Sequence, residues 1–85
     1  MPKLTLYYFN GCSYCEQVKD FMERNSISLQ MKNIREDRGA REELIKIGGK
    51  PQVPCLLIDG KAIYESVDII KWLKNNYKNN VSRRN

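Results

Sequence analysis

The 85-residue chain contains no histidine and only three cysteines. A structural zinc site takes four ligands, mostly cysteine and histidine, so one within this single chain is improbable and we expect no metal. A secreted domain framed by disulfides normally carries more cysteines, in an even number. The few cysteines present are therefore more typical of redox chemistry in a reducing compartment.

The sequence also lacks any apolar run close to the roughly 20 residues that a membrane span requires. Its N-terminus, MPKLTLYYFNG, does not have the layout of a signal peptide, because no long apolar stretch follows Lys3. We therefore expect a cytoplasmic protein without a membrane partner.

The net charge is +5, from 15 Lys and Arg against 10 Asp and Glu. No basic stripe interleaved with aromatic residues accompanies this charge, so we expect no nucleic-acid partner and only a mild attraction for small anions. Three basic residues, Lys78, Arg83 and Arg84, lie in the last eight positions. These features predict one domain over residues 1–77 and a basic, flexible tail over residues 78–85.

The apolar periodicity predicts an α/β protein with the element order β-α-β-α-β-β-α. The β-α-β start implies a right-handed crossover and a parallel strand pair, and an Asp59-Gly60 turn predicts an antiparallel hairpin. Gly48-Gly49 is expected to end the second helix, and Ser66 to cap the third. The predicted strands cover residues 3–9, 27–34, 55–59 and 61–65, and the helices begin near residues 13, 40 and 66.

Two predictions about burial are specific enough to test. The first strand is rich in aromatic residues, alternates at Leu4, Leu6 and Tyr8, and is predicted to be buried. The last helix should bury one face. That face contains Val67, Ile70, Leu73 and Tyr77, with Ile69 and Trp72 beside it.

Cys12 and Cys15 lie where the first strand ends and the first helix begins. Unpaired N–H groups and the helix dipole favour an anion at that position, so Cys12 should be an exposed thiolate with a lowered pKa. Cys15 lies one turn further and should face inward, as the protected thiol. Such a pair suits thiol–disulfide exchange, in which one thiolate attacks a disulfide and the second thiol resolves the mixed disulfide. A structural staple is the weaker interpretation, because so small a loop constrains the unfolded chain little.

Three segments together resemble the glutaredoxins: CSYC after an apolar strand, QVP before another, and ESVDI opening the last helix. The resemblance covers about residues 3–77. It implies the thioredoxin-like fold, a four-stranded mixed sheet with three flanking helices. It also implies a redox-active disulfide between Cys12 and Cys15.

The resemblance further implies a site for glutathione. Pro54 would follow a cis peptide bond and leave the backbone of Val53 open to a substrate. The amides around Ser66 and Val67 would take the γ-glutamyl carboxylate at the start of a helix, and Asp68 the ammonium group. Tyr14 would line the groove. The nearest candidates for the glycine carboxylate are Lys50 and Gln52, since Phe9 stands where many glutaredoxins place a lysine.

For two further residues, the sequence leaves two interpretations open. Some glutaredoxins with serine at the position of Ser13 hold a [2Fe-2S] cluster between two subunits, so a cluster-binding dimer stays an alternative to the monomer that we expect. Cys55 follows Pro54 directly. It is either a small buried hydrophobe at a strand start or a partner for Cys12 in a regulatory disulfide.

These observations predict a glutathione-dependent thiol–disulfide oxidoreductase. Its expected substrates are protein–glutathione mixed disulfides and disulfides of low molecular weight, with glutathione as co-substrate. The alternative within the same class is a thioredoxin-like reductant of protein disulfides, served by a flavoprotein such as thioredoxin reductase.

Overall fold

A computed structural model describes residues 3–76 of the chain. Seven elements follow in the predicted order, which is confirmed together with the fold class. They are β1 (Leu4–Tyr8), α1 (Ser13–Arg24), β2 (Gln30–Asn33), α2 (Arg38–Gly48), β3 (Cys55–Ile58), β4 (Lys61–Ile63) and α3 (Ser66–Asn76). The predicted tail, residues 78–85, and Tyr77 lie outside the described residues.

The four strands form one mixed sheet in the order β2-β1-β3-β4. Strand β1 runs parallel to β2, with Leu6 beside Met31, and antiparallel to β3, with Leu6 beside Leu56. Strand β4 pairs antiparallel with β3. The parallel pair and the hairpin are therefore both as the sequence predicted.

Strand β1 is buried, as the sequence predicted, and the burial extends to both of its faces. Four consecutive residues from Leu4 to Tyr7 are buried, and Tyr8 is only half-buried. The reason is the central position of β1 in the sheet, with one hydrophobic core above it and another below. A strand that is covered on both faces typically has a continuous run of apolar residues instead of alternating apolar and polar ones.

The two cores lie on opposite faces of the sheet. The larger joins the sheet to α1 and α3, and Leu6, Val18 and Leu73 are fully buried there. The smaller joins it to α2 through Tyr7, Leu44 and their neighbours. Its remaining buried members are Ile34, Ala40 and Cys55.

Most helices and strands begin and end near the expected residues, at capping and turn residues that the sequence shows. Helix α2 begins after Asp37, whose carboxylate accepts the Ala40 N–H at 3.1 Å, and ends at Gly49 with φ of 90°. The β3–β4 turn has positive φ at Asp59 and Gly60, as a type I′ turn demands. Glycine and aspartate tolerate these conformations better than most residues, so the sequence marks both points.

Three predicted details are wrong. Strand β2 begins at Gln30 instead of residue 27, and Ile27 packs into the larger core from the preceding loop. Ser66 is the first residue of α3 and does not cap it, since the Ile69 N–H donates to the Glu65 carbonyl at 2.8 Å. Val67 is 71% exposed and contributes nothing to the buried face, which Ile69 and Leu73 form.

None of the helices within residues 3–76 has the length and apolar character needed to span a membrane.

Candidate active site

The junction between β1 and α1 holds Cys12 in the N-cap position of the helix. Gly11 turns the chain with φ of 91°, and Cys12 then adopts an extended conformation with φ of −92° and ψ of 117°. The Cys12 sulfur accepts the backbone N–H of Cys15 at 3.3 Å, as a capping oxygen would. The first N–H groups of a helix have no partner within the helix, and the Cys12 sulfur accepts one of them.

Cys15 lies one turn further into α1 and differs from Cys12 in its surroundings. Its side chain is completely buried, whereas Cys12 is half-buried. Burial raises the pKa of the Cys15 thiol from 9.0 to about 12, and its hydrogen bond to Cys12 acts in the same direction. Cys15 is therefore a protonated thiol at neutral pH. Both cysteines are free, and Cys15 is the more buried of the two, as the sequence predicted; Cys12 was expected to be exposed and is half-buried instead, because it lies against the first turn of α1.

A cavity of about 240 Å³, here called the Pro54 groove, lies beside this junction. The peptide bond between Val53 and Pro54 is cis, as the resemblance implied. The groove contains six of the eight residues predicted to bind glutathione. Its lining consists of Tyr14, Gln52, Val53, Pro54, Tyr64, Glu65, Ser66 and Val67. Residues that are far apart in sequence are thus brought together.

The other two predicted binding residues, Lys50 and Asp68, do not line the Pro54 groove. The Lys50 ammonium lies 4.8 Å from the centre of the Tyr64 ring, and the Tyr64 hydroxyl donates to the Lys50 carbonyl at 3.2 Å. Lys50 therefore reaches the groove through Tyr64. Asp68 lies in the first turn of α3, on its exposed side.

Ser66 is buried at the start of α3, and its hydroxyl donates to the side-chain oxygen of Gln17 at 3.5 Å. This contact ties the first turn of α3 to α1. The side chain of Ser66 is thus engaged inside the protein. The part of α3 that a ligand could contact here is the backbone of its first turn, next to the exposed Val67.

Tyr64 is the groove residue that the sequence did not reveal. Its ring fits over Gly48 at the end of α2, where a Cβ atom would overlap the Tyr64 hydroxyl and approach its Cζ to 2.8 Å. A glycine near a helix end is usually explained by the helix stop alone. The sequence does place an aromatic residue, Tyr64, directly before ESVDI. Its contact with Gly48, however, depends on the fold.

Cys55 is a fully buried thiol at the start of β3, in the smaller core. Burial raises its pKa to about 11. Such a thiol is protonated and shielded from solvent, so it packs as a small hydrophobe. The interpretation of Cys55 as a buried strand residue is confirmed.

Metal-ligating side chains are not clustered in the part of the chain that the structure describes. Over residues 3–76, no three Cys, Asp or Glu side chains are grouped so that they could hold an ion.

The fold and the junction define the class of protein. A mixed four-stranded sheet, a cysteine pair at the first helix start and a cis-proline before β3 are the framework of a thioredoxin-fold thiol–disulfide oxidoreductase. The glutaredoxin family model matches residues 4–63. The chain belongs to the glutaredoxin family, and as such it is a thiol–disulfide oxidoreductase.

The chain is also similar to one relative of this family and to solved structures with the same fold. The chain is 32% identical over 63 residues to glutaredoxin 3 of Escherichia coli K12, covering 74% of this chain and 76% of that relative. Among solved structures, the thioredoxin-like protein BC3987 has a TM-score of 0.72 and 24% identity, with 84% of this chain and 99% of that chain covered. Glutathione transferase E6 of Drosophila melanogaster has a TM-score of 0.71 and 28% identity, with 92% and 36% covered.

Proposed function

We propose that this glutaredoxin reduces mixed disulfides between proteins and glutathione, and disulfides of low molecular weight, with Cys12 as nucleophile and Cys15 as resolving thiol. The observation that carries the proposal is the contrast between the two sulfurs. Cys12 caps α1 and accepts an N–H, whereas Cys15 is buried and its pKa is raised to about 12. Only the first is both accessible and placed to react as an anion.

The reaction proceeds by two exchanges. The Cys12 thiolate attacks the glutathione sulfur, so that an S–Cys12 bond forms, the substrate disulfide breaks and the protein thiolate leaves and takes a proton. A second glutathione thiolate then attacks the glutathione sulfur bound to Cys12, giving glutathione disulfide and restoring Cys12. Alternatively, Cys15 loses its proton and attacks Cys12, which releases glutathione and leaves a Cys12–Cys15 disulfide.

The Pro54 groove supports glutathione as the co-substrate. Its Val53 backbone can pair with the cysteine residue of a peptide in the manner of an added strand. The first-turn amides at Ser66 and Val67 suit the γ-glutamyl carboxylate, because a helix N-terminus attracts anions. Asp68 would pair with the ammonium group of the same end, and Gln52 and Tyr14 would contact the rest of the tripeptide.

Lys50 remains the proposed cation for the glycine carboxylate. Its position over the Tyr64 ring restrains the ammonium beside the groove without placing it in the lining. We also propose that the protein works in the cytoplasm, where glutathione keeps thiols reduced.

Turnover of a glutathionylated peptide in a glutathione-coupled assay tests the proposal. Cys15→Ser should retain deglutathionylation, because glutathione alone can complete the cycle, and Cys12→Ser should lose at least about 99% of it. Activity in Cys12→Ser would contradict the mechanism. If oxidised wild type were re-reduced by thioredoxin reductase and not by glutathione, the alternative electron donor would be correct.

A further inference from the structure

The segment between α2 and β3, residues 49–54, forms neither a helix nor a strand. It nevertheless carries part of the wall of the Pro54 groove. Three of the eight lining residues belong to it: Gln52, Val53 and Pro54. Because the Val53 backbone is the proposed pairing partner of glutathione, the position of this segment decides how well the groove fits its ligand. An irregular segment needs contacts from outside itself to hold one position.

Two hydrogen bonds join the backbone of this segment to the rest of the described chain. The Gly49 N–H donates to the Ile45 carbonyl at 2.8 Å, which completes the end of α2. The second bond crosses to a distant part of the sequence, because the Lys50 carbonyl accepts the Tyr64 hydroxyl at 3.2 Å. Tyr64 directly follows β4, so this bond ties the segment to the sheet.

The Tyr64 hydroxyl also lies beside the far end of the segment. Its neighbour there is Cys55, the first residue of β3. Burial raises the pKa of Tyr64, and the Cys55 thiol acts in the same direction. The hydroxyl therefore lies between Lys50, near the start of the segment, and Cys55, directly after its end. One side chain thus contacts both ends of an otherwise irregular stretch.

Two further contacts fix the Tyr64 ring itself. The Lys50 ammonium lies 4.8 Å from the ring centre, so Lys50 holds the ring through its side chain as well as through its carbonyl. At the end of α2, Gly48 leaves the space that the hydroxyl occupies, since a Cβ atom there would overlap it. These contacts restrain the ring to one orientation, whereas an exposed aromatic side chain changes its rotamer rapidly.

Packing alone does not account for these features. Tyr64 packs against the smaller core as a half-buried residue, and phenylalanine would fill the same volume. The hydroxyl is the part of the side chain that packing does not require. Its neighbours include Lys50 and Cys55, which frame the segment that carries Val53. What the hydroxyl adds is a connection between the wall of the groove and the sheet.

We propose that Tyr64 is a positioning residue for glutathione, and that its hydroxyl holds residues 49–54 so that the Val53 backbone faces the cysteine residue of the bound tripeptide. This inference rests on the proposed function, because it concerns how the Pro54 groove recognises glutathione. In this role Tyr64 takes no part in the exchange between sulfurs. Loss of the hydroxyl should therefore weaken the selection of glutathione more than the chemistry at Cys12.

Two disulfide reagents with the same leaving group test the proposal. One joins glutathione to thiopyridine, and the other joins mercaptoethanol, which has no peptide backbone, to thiopyridine. The Cys12 thiolate breaks the reagent's disulfide and forms a bond to the sulfur of glutathione or of mercaptoethanol. Thiopyridine leaves as its thiolate, takes a proton and is measured by its absorbance as thiopyridone. Every protein carries Cys15→Ser, so that the reaction stops after this single exchange.

The quantity compared is the ratio of the second-order rate constants for the glutathione and the mercaptoethanol reagents. In the Cys15→Ser background we expect a ratio of at least roughly ten, because only glutathione fills the groove. Tyr64→Phe keeps the ring and loses only the hydroxyl. It should lower this ratio about fivefold, which is the usual contribution of one hydrogen bond.

Gly48→Ala gives an independent variant, because it displaces the hydroxyl without removing it. It should lower the ratio as well. The double variant Gly48→Ala, Tyr64→Phe should fall no further than the stronger single variant, since both changes act through the same hydroxyl. A purely structural role of Tyr64 would slow both reagents equally, and that result would contradict the proposal.

Tyr7→Phe is the matched control. The Tyr7 hydroxyl also makes a hydrogen bond, to Glu43 at 2.7 Å, and Tyr7 belongs to the same smaller core. Tyr7 does not line the Pro54 groove. Its variant should have a lower urea midpoint and the same ratio as the background. An equal fall of the ratio in Tyr7→Phe would show a general effect of loosening this core, and would overturn the proposal.

The outcomes also separate this inference from the proposed function. A ratio that stays unchanged in both Tyr64→Phe and Gly48→Ala would overturn Tyr64 as a positioning residue, while the selection of glutathione in the background would stand. A ratio near 1 in the background would remove the Pro54 groove as a glutathione site and overturn both. If Cys12→Ser released thiopyridone equally fast, the assigned nucleophile would be wrong.

Discussion

At the scale of single residues, the two sulfurs of the CSYC motif show how position creates different chemistry from identical side chains. Cys12 lies just before the first helical turn and accepts an N–H, while Cys15, three residues on, is enclosed by the core. The helix supplies both effects, because one turn moves a side chain from the exposed end of α1 to its buried face.

Gly48 is a second residue whose role depends on one neighbour. Gly48→Ala should lower the free energy of unfolding by about 1–2 kcal/mol, because overlap with Tyr64 outweighs the gain in helix propensity. Urea denaturation measures the change. The displaced Tyr64 should also raise the KM for a glutathionylated peptide, since its ring lines the Pro54 groove.

The pair Gly48→Ala and Tyr64→Phe provides the control. The phenylalanine lacks the hydroxyl that a Cβ at Gly48 would meet first, so the alanine should cost less in that background. A coupling of about 1 kcal/mol between the two changes is expected. Stabilisation by Gly48→Ala in the wild-type background would mean that Tyr64 does not restrict this position.

At the scale of elements, the sequence predicts what local signals determine. The Asp59-Gly60 turn, the Gly49 stop and the strand-to-helix junction at Cys12 all follow from residues within a few positions of the feature. The Pro54 groove was predicted in large part because the family motif supplied its distant segments. Six of its lining residues were named from the sequence.

The wrong details depend on neighbours in space. Strand β2 is short because pairing with β1 begins only at Gln30, opposite Thr5. Val67 looks like a core residue in the helical pattern, yet α3 packs through Ile69 and Leu73. The same limit hid a cavity of about 430 Å³ that combines residues of α2 with the loops after β1, after β2 and before β3. A local sequence pattern does not determine which surfaces of the elements will face each other in the fold.

At the scale of the whole molecule, the protein interior contains neutral groups that can ionise at high pH. Burial raises the pKa of Cys15 from 9.0 to about 12 and that of Cys55 from 9.0 to about 11. Burial also raises the pKa of Tyr7 and of Tyr64. In the unfolded chain the same groups lose their protons at lower pH.

The reduced protein should therefore become less stable as the pH rises above about 9. A raised pKa in the folded state adds stability that is fully present below the unfolded pKa, and is lost between that value and the folded one. For the two thiols this window extends from about 9 to about 11–12. Urea midpoints of the reduced protein at pH 8 and pH 10.5 measure the loss, to which Cys55 should contribute roughly 1–2 kcal/mol.

The control for this prediction is Cys55→Ala. It should lower stability at pH 8, because a small cavity replaces the sulfur, yet lose less on going to pH 10.5. An identical pH dependence in the variant and the wild type would show that the buried Cys55 thiol does not contribute.

The central claim is that Cys12, and neither of the buried thiols, attacks the substrate. The most direct measurement is peptide mapping by mass spectrometry of Cys15→Ser after brief reaction with glutathione disulfide. The account predicts one glutathionyl group per chain, on Cys12, and none on Cys12→Ser treated in the same way. A glutathionyl group on Cys55, or on Cys15 of Cys12→Ser at a comparable rate, would contradict it.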